Sequence, residues 1–136
     1  MNIVILGCGR VGARLASMMD VPGNTVSVVD FSSDAFQRLS SDFHGSTIIG
    51  NGDDEDVLVR AGIREADVFV AVTNGDNRNI MASQIAKELF QVKKVVCRIY
   101  DPIREETYRD MGMDTFCPTT LGAQMIYDAI TGKKQK

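Results

Sequence analysis

The sequence predicts an α/β fold, a doubly wound sheet of six parallel strands in the order 3-2-1-4-5-6. Three observations carry this. Apolar runs alternate six times with helix-patterned segments across short links, the signature of consecutive βαβ units. One run, "ADVFVAVT" (66–73), is apolar almost throughout, as a strand covered on both faces must be. A G-x-G-x-x-G stands between the first run and the helical pattern after it, the turn that opens a Rossmann-like sheet.

Taken in order, "NIVIL" (2–6) is the first strand. Residues 10–20 follow as a helix with Val11, Leu15, Met18 and Met19 on its apolar face. "VPGN" turns the chain into the second strand, "TVSVVD" (25–30). A Ser- or Asp-capped helix over "SSDAFQRLSSDF" leads to the third strand, "STIIG" (46–50). "DDEDVLVRAG" is a helix whose four leading acids suit the positive end of its dipole, with Gly62 as its stop. After the fourth strand, "DNRNIMASQIAKELF" carries a helical stripe of Ala82, Ile85, Ala86 and Leu89. "KVVCRI" (94–99) is the fifth strand, and Pro102 opens a helix where its missing N–H costs nothing. "DTFCP" holds a short sixth strand, and "TTLGAQMIYDAI" is a last helix with Ala123, Ile126, Tyr127 and Ile130 on one face. Residues 1–131 thus form one nucleotide-binding domain, and 132–136, "GKKQK", a polar tail.

Composition narrows the function. Hydrophobic residues make up 44% and charged residues 24% of the 136, an ordinary globular balance, and a chain of this size buries about 68–70% of its unfolded surface. A net charge of −3 offers nothing for non-specific nucleic-acid binding. No apolar run approaches the roughly 20 residues of a membrane span, so no direct membrane insertion is expected. Met1 leads straight into the first strand with no basic flank or cleavage site, and Cys8, Cys97 and Cys117 form no C-x-x-C. The expectation is a reduced, cytoplasmic chain.

Gly7, Gly9 and Gly12 are the motif's glycines. The first makes the tight turn, the second admits a diphosphate to the backbone, and the third lets helix and strand pack closely. The helix start then offers free N–H groups and partial positive charge. Arg10 and Val11 stand between the second and third glycines. The Arg10 guanidinium either pairs with phosphate or lies solvated on the surface. Asp30 ends the second strand, where a carboxylate accepts ribose hydroxyls and repels a 2′-phosphate. Phe31, Ser32 and Ser33 follow, with no arginine nearby to take such a phosphate. NAD(H) or ATP/ADP is therefore favoured over NADP. The opposing reading is a turn of this type that has lost its ligand.

The other strand ends face the same crevice. After the third strand, Gly50 and Gly52 admit a base to the backbone, and Asn51 and Asp53 can hydrogen-bond its edge; Asp53 alternatively caps the next helix. After the fourth, Thr73 and Asn74 bound the distal half of a ligand, and Asp76 is read as the following helix's cap. Arg98, at the end of the fifth, needs an anion, either a phosphate or an acid such as Asp101. Catalytic groups are wanting. The single histidine, His44, lies in a loop. No Cys–His pair, metal-ligand cluster or short-chain-dehydrogenase acid–base set is visible, and a hydride-transfer enzyme needs a substrate domain as well. The alternatives are an NAD-dependent oxidoreductase fragment without its catalytic domain, and a dimerisation module with a vestigial pocket.

Together, "NIVILGCGRVG", "VVD", "IIGNGDDEDVLVRAGIREADVFVAVTNGDNRNI" and "CRIYDP" resemble the KTN domain, or N-terminal RCK domain, of Trk- and Ktr-type potassium-uptake regulators. The resemblance covers residues 1 to about 130. It implies a non-enzymatic regulatory subunit that binds NAD(H), ATP or ADP and forms a dimer or a ring of dimers. Such a subunit sits on the cytoplasmic face of a membrane potassium channel or transporter and gates it. It implies phosphate contacts from Gly7, Gly9, Arg10, Gly12 and Arg98, ribose contacts from Asp30, and adenine beside Gly52 and Asp53. Thr73 and Asn74 would line the distal half. Some ATP-sensing relatives carry a glutamate after the last strand's proline, whereas Thr119 and Thr120 follow Pro118 here. Regulators of this type also continue into a C-terminal ligand-binding subdomain, so such a segment, or a partner in its place, is implied.

Overall fold

β1 (Asn2–Leu6) sits at the centre of the sheet, paired in parallel with β2 (Thr25–Asp30) on one side and β4 (Val68–Ala71) on the other. The computed structural model describes residues 1–133. β3 (Ser46–Ile49) extends the sheet beyond β2, and β5 (Lys94–Arg98) and β6 (Asp114–Phe116) extend it beyond β4. The order is β3-β2-β1-β4-β5-β6, as the alternation predicts. The chain moves outward from β1 first to one side and then to the other. A crevice therefore opens above the carboxyl end of β1.

Side chains alternate across the strands and so feed two cores. On one face Ile3, Ile5, Val26 and Val28 pack against α1 (Arg10–Met19) and a 3-10 segment, Ser33–Arg38. On the other, Val4, Leu6, Val29 and Phe69 pack against α2 (Glu55–Arg60) and α3 (Asp76–Gln84). α4 (Pro102–Asp110) has Pro102 in its first turn, and the Asp101 carboxylate caps it by accepting from the Ile103 N–H at 3.0 Å.

Four elements depart from their sequence patterns. α1 lies on the sheet through small residues, Gly12, Ala13 and Ala16, while Val11 and Met18 face outward at 46% and 66% exposure. The other two residues of the predicted stripe, Leu15 and Met19, are half-buried and pack against the core beside these small residues. The helix expected after β2 is only the 3-10 segment, because it ends at Leu39 with extended backbone. Beyond α3 the helix widens into a π turn, Ile85–Leu89. The extra residue in that turn shifts the stripe, leaving Ala82 and Ala86 buried and Leu89 exposed. α5 (Pro118–Thr131) buries none of its residues, and Ile126, Tyr127 and Ile130 all face outward. It follows β6, the edge of the sheet. Of the polar tail read at 132–136, residues 134–136 lie outside the described residues. Among the described residues no helix is long and apolar enough to cross a membrane.

Candidate functional site

The crevice holds about 800 Å³, within the range of small-molecule sites, and the glycine loop is its floor. Gly7 has φ +109°, and a β-carbon there would lie 2.9 Å from the Thr73 nitrogen and the Val72 carbonyl. Its N–H donates to the Val29 carbonyl at 2.8 Å, joining the loop to β2. At Gly12 a β-carbon would meet the Gly7 carbonyl oxygen. Gly9 is different. Its φ is −79°, and nothing lies within 4 Å of where a β-carbon would stand. The fold requires glycine at 7 and 12 but not at 9, which opens onto the crevice. α1 begins here with no side-chain cap and no acid in its first turn, so its free N–H groups and positive dipole end remain open to an anion.

Asp30 stands beside this floor and braces it. One carboxylate oxygen accepts from the Cys8 N–H at 2.8 Å, the other from the Ser32 N–H at 2.9 Å. Each oxygen keeps a further lone pair for a ribose hydroxyl. The Cys8 side chain is fully buried, and burial, then the Asp30 charge, push its thiol upward, with Arg38 opposing. It is packing, not a nucleophile.

Four arginines line the crevice: Arg10, Arg38, Arg78 and Arg98. Among the described residues none of them pairs with a carboxylate. Arg98 is 7% exposed. Its Nη2 donates to the Val72 and Thr73 carbonyls at 2.6 and 2.8 Å, its guanidinium lies 4.8 Å from the Tyr100 ring centroid, and its Nε has no partner. Burial pulls its pKa downward, with Tyr100 and Asp76 opposing. Of the two anions proposed for it, Asp101 is not its partner: among the described residues no ion pair joins them, and that carboxylate caps α4. Arg38 corrects the expectation that no arginine stands near Asp30. The tight Ser33–Arg38 winding brings its Nη1 within 3.4 Å of the Cys8 carbonyl.

Gly7, Gly9, Arg10, Val11, Asp30 and Phe31 line the crevice, as do Asn51, Gly52, Thr73, Asn74 and Arg98. Two other residues predicted for the site do not. Gly12 lies beneath the loop, and Asp53 is exposed outside the lining. The cap role weighed for Asp53 falls one residue later, to Asp54, which accepts from the Asp56 N–H at 2.9 Å. Gly52 is small for packing as well, since a β-carbon there would run into the Leu6 side chain. Asp76 is the first residue of α3 rather than its cap. Its carboxylate accepts from the Tyr100 and Asp101 N–H groups at 2.8 and 3.1 Å, tying α3 to the loop after β5.

Asn79 was invisible in the sequence as a site residue, yet it is fully buried and organises the distal edge. Its Oδ1 accepts from the Thr73 N–H and hydroxyl at 2.9 and 2.6 Å, and its Nδ2 donates to the Thr73 and Arg98 carbonyls at 2.9 and 3.0 Å. The Thr73 hydroxyl is thereby spent inside the turn, which leaves Asn74 as the exposed polar side chain there. His44 lies elsewhere. It contacts Asp20 at the far end of α1, about 15 Å along the helix from the loop.

The strand order, the glycine loop at its reversal point and the carboxylate ending β2 define a Rossmann-type domain with its crevice at the switch point. Residues 3–118 match the TrkA-N domain, and the chain belongs to that family. It is 50% identical over 115 residues to the Trk system potassium uptake protein TrkA of Streptomyces coelicolor, covering 85% of this chain and 52% of that protein. It is 31% identical over 135 residues to a TrkA homolog of Methanothermobacter thermautotrophicus, covering 98% of this chain and 62% of that one. The chain thus spans only about half to three-fifths of these relatives. In structure it resembles the GsuK RCK domain, with TM-score 0.80 and 21% identity over 97% of this chain and 28% of that one. It also resembles the AMP-bound Kef C-terminal domain of Shewanella denitrificans, with TM-score 0.79 and 19% identity over 100% of this chain and 84% of that one. These two likenesses concern the fold.

Proposed function

We propose that this chain is the nucleotide-sensing domain of a Trk/Ktr-type potassium-uptake regulator. In this reading it binds NAD(H) or ATP/ADP, and the bound nucleotide gates a membrane potassium channel or transporter. The observation that carries the nucleotide part is Gly9, a glycine that neither backbone conformation nor packing demands, opening onto a crevice lined by four arginines without carboxylate partners among the described residues. The buried Arg98, with its orphan Nε, fits the same anionic ligand. The loop N–H groups and the start of α1 hold the diphosphate, Arg10 and Arg98 balance its charge, and Asp30 takes the ribose hydroxyls and disfavours a 2′-phosphate. Support comes from family membership, from the relatives' names, and from structural neighbours described as bound to AMP and ADP.

The nucleotide acts here as a signal. The distal edge is held by Thr73 and Asn74, neither an acid nor a base, and Thr73 is already engaged by Asn79. The regulator works on the cytoplasmic face of the membrane as a homo-oligomer, a dimer or ring of dimers, docked on a separate transporter polypeptide. A thermal-shift titration with NAD, NADH, ADP and ATP tests the binding. Ligand at 100 times Kd adds about 2.7 kcal/mol to stability, and no shift with any of the four at millimolar concentration overturns the reading. Co-purification with a membrane potassium transporter tests the partner.

A further inference from the structure

β2 and β4 flank β1, so the segments that follow them stand on opposite sides of the glycine loop. One contact passes between these flanks. The Arg78 guanidinium, from the first turn of α3, lies 5.4 Å from the ring centroid of Phe31, the residue directly after β2. Both side chains are exposed and both line the crevice.

The position of Arg78 is not explained by its helix. A cation in the first turn meets the positive end of the dipole. Asp76, the acid of that turn, has its carboxylate committed to the Tyr100 and Asp101 N–H groups. Arg38 and Arg98 are occupied by backbone carbonyls. Arg98 also stacks on a ring, that of Tyr100, but its backbone hydrogen bonds hold it besides; Arg78 rests on an aromatic face alone, an exposed contact of modest strength. A phosphate offers the same guanidinium a bidentate, charge-assisted partner, which is stronger.

We propose that Arg78 is a specificity-determining residue of this site, one that reads how many phosphates the nucleotide carries. Phe31 and the outer phosphates compete for its guanidinium. A ligand with a longer phosphate chain draws Arg78 off the ring and opens the strap between the two flanks, whereas a monophosphate leaves it in place. This rests on the adenine-nucleotide reading given above.

The test is calorimetric titration of the 136-residue chain with AMP, ADP and ATP, in the unaltered protein and in Arg78→Gln and Phe31→Leu. Both substituted side chains are exposed, so both variants keep the fold. Arg78→Gln lowers the ratio of ATP to AMP affinity about fivefold or more, with AMP changed less than about twofold. Phe31→Leu raises that ratio about two- to fivefold, because the competing ring is gone. Any direct effect of Phe31 on the adenosine end cancels in the ratio. An unmoved ratio in either variant, with binding intact, overturns this inference alone. Failure of the unaltered chain to bind any of the three overturns the nucleotide reading and this inference together.

Discussion

A β-carbon at Gly12 would stand 1.8 Å from the carbonyl oxygen of Gly7. Helix α1 and the end of β1 therefore touch backbone to backbone, and the entry of α1 into the crevice is fixed by that contact. Three residues earlier, nothing lies within 4 Å of where a β-carbon at Gly9 would stand. The two glycines separate folding from binding. Gly12→Ala is expected to destabilise the chain by about 3 kcal/mol or more, since the obstacle is backbone and cannot turn aside. Gly9→Ala should change stability by less than about 1 kcal/mol yet weaken adenine-nucleotide binding at least tenfold. Urea unfolding and a nucleotide titration on both variants check this. Equal destabilisation by the two would make Gly9 structural after all.

Asn79 tests how far the distal edge depends on one buried amide. Its replacement by alanine strands the Thr73 N–H and leaves the Thr73 and Arg98 carbonyls with fewer donors. Each buried group left without a partner costs about 1–3 kcal/mol, so a loss of about 2–4 kcal/mol is expected for the set. Thr73→Val removes only the hydroxyl and should cost less than half as much. Chemical denaturation of both variants measures the difference.

Asp30 and Arg38 act in opposite senses on a 2′-phosphate. The carboxylate beside the loop repels it, and Arg38, beside the Cys8 carbonyl, attracts it. Asp30 is nearer the loop backbone, bonded to the Cys8 N–H itself, and it is expected to prevail. The unaltered chain should bind NADH at least tenfold more tightly than NADPH. Asp30→Asn should shrink that preference, and Asp30→Asn with Arg38→Ala should weaken NADPH again. Competition titrations read all three. A native preference for NADPH would show that Arg38 governs.

The sheet order was legible because it depends on features that are local in sequence: alternation of apolar runs, one glycine motif, and short links. The glycine loop, Asp30, Thr73 and Asn74 were legible because strand ends at a switch point must face the crevice. Arg38 and Arg78 were not, since each arrives on an element whose register comes from packing. A 3-10 winding that reads as α-helix in sequence delivers Arg38, and α3 delivers Arg78 across the loop. The cap at Asp54 rather than Asp53 is a one-residue choice made by backbone geometry. The close packing at Gly12 was legible from the glycine motif, but the outward turn of Val11 and Met18 was not, because it depends on which small residues of α1, Gly12, Ala13 and Ala16, rest on the sheet.

Cys97 gives the fold a predictable alkaline weakness. The side chain is fully buried in β5, and burial is the main reason its thiol pKa is pushed up from 9.0 to about 11, with the nearby Ser83 hydroxyl opposing and the Asp76 charge adding. The folded chain thus holds this proton more tightly than the unfolded chain does. Below pH 9.0 both states keep it, and the stabilisation is fully present. Between 9.0 and about 11 the unfolded state releases the proton while the folded state retains it, so stability falls as pH rises through that window. Tyrosines and lysines titrate in the same range, so the measurement is the difference between the unaltered chain and Cys97→Ala. In urea unfolding from pH 8 to 11 the alanine variant starts less stable, for lack of packing, and then loses stability more slowly. Parallel pH profiles would show that Cys97 carries no such linkage. At pH 8 a thiol reagent should leave Cys97 and Cys8 unmodified until the chain unfolds, since both are buried with raised pKa values.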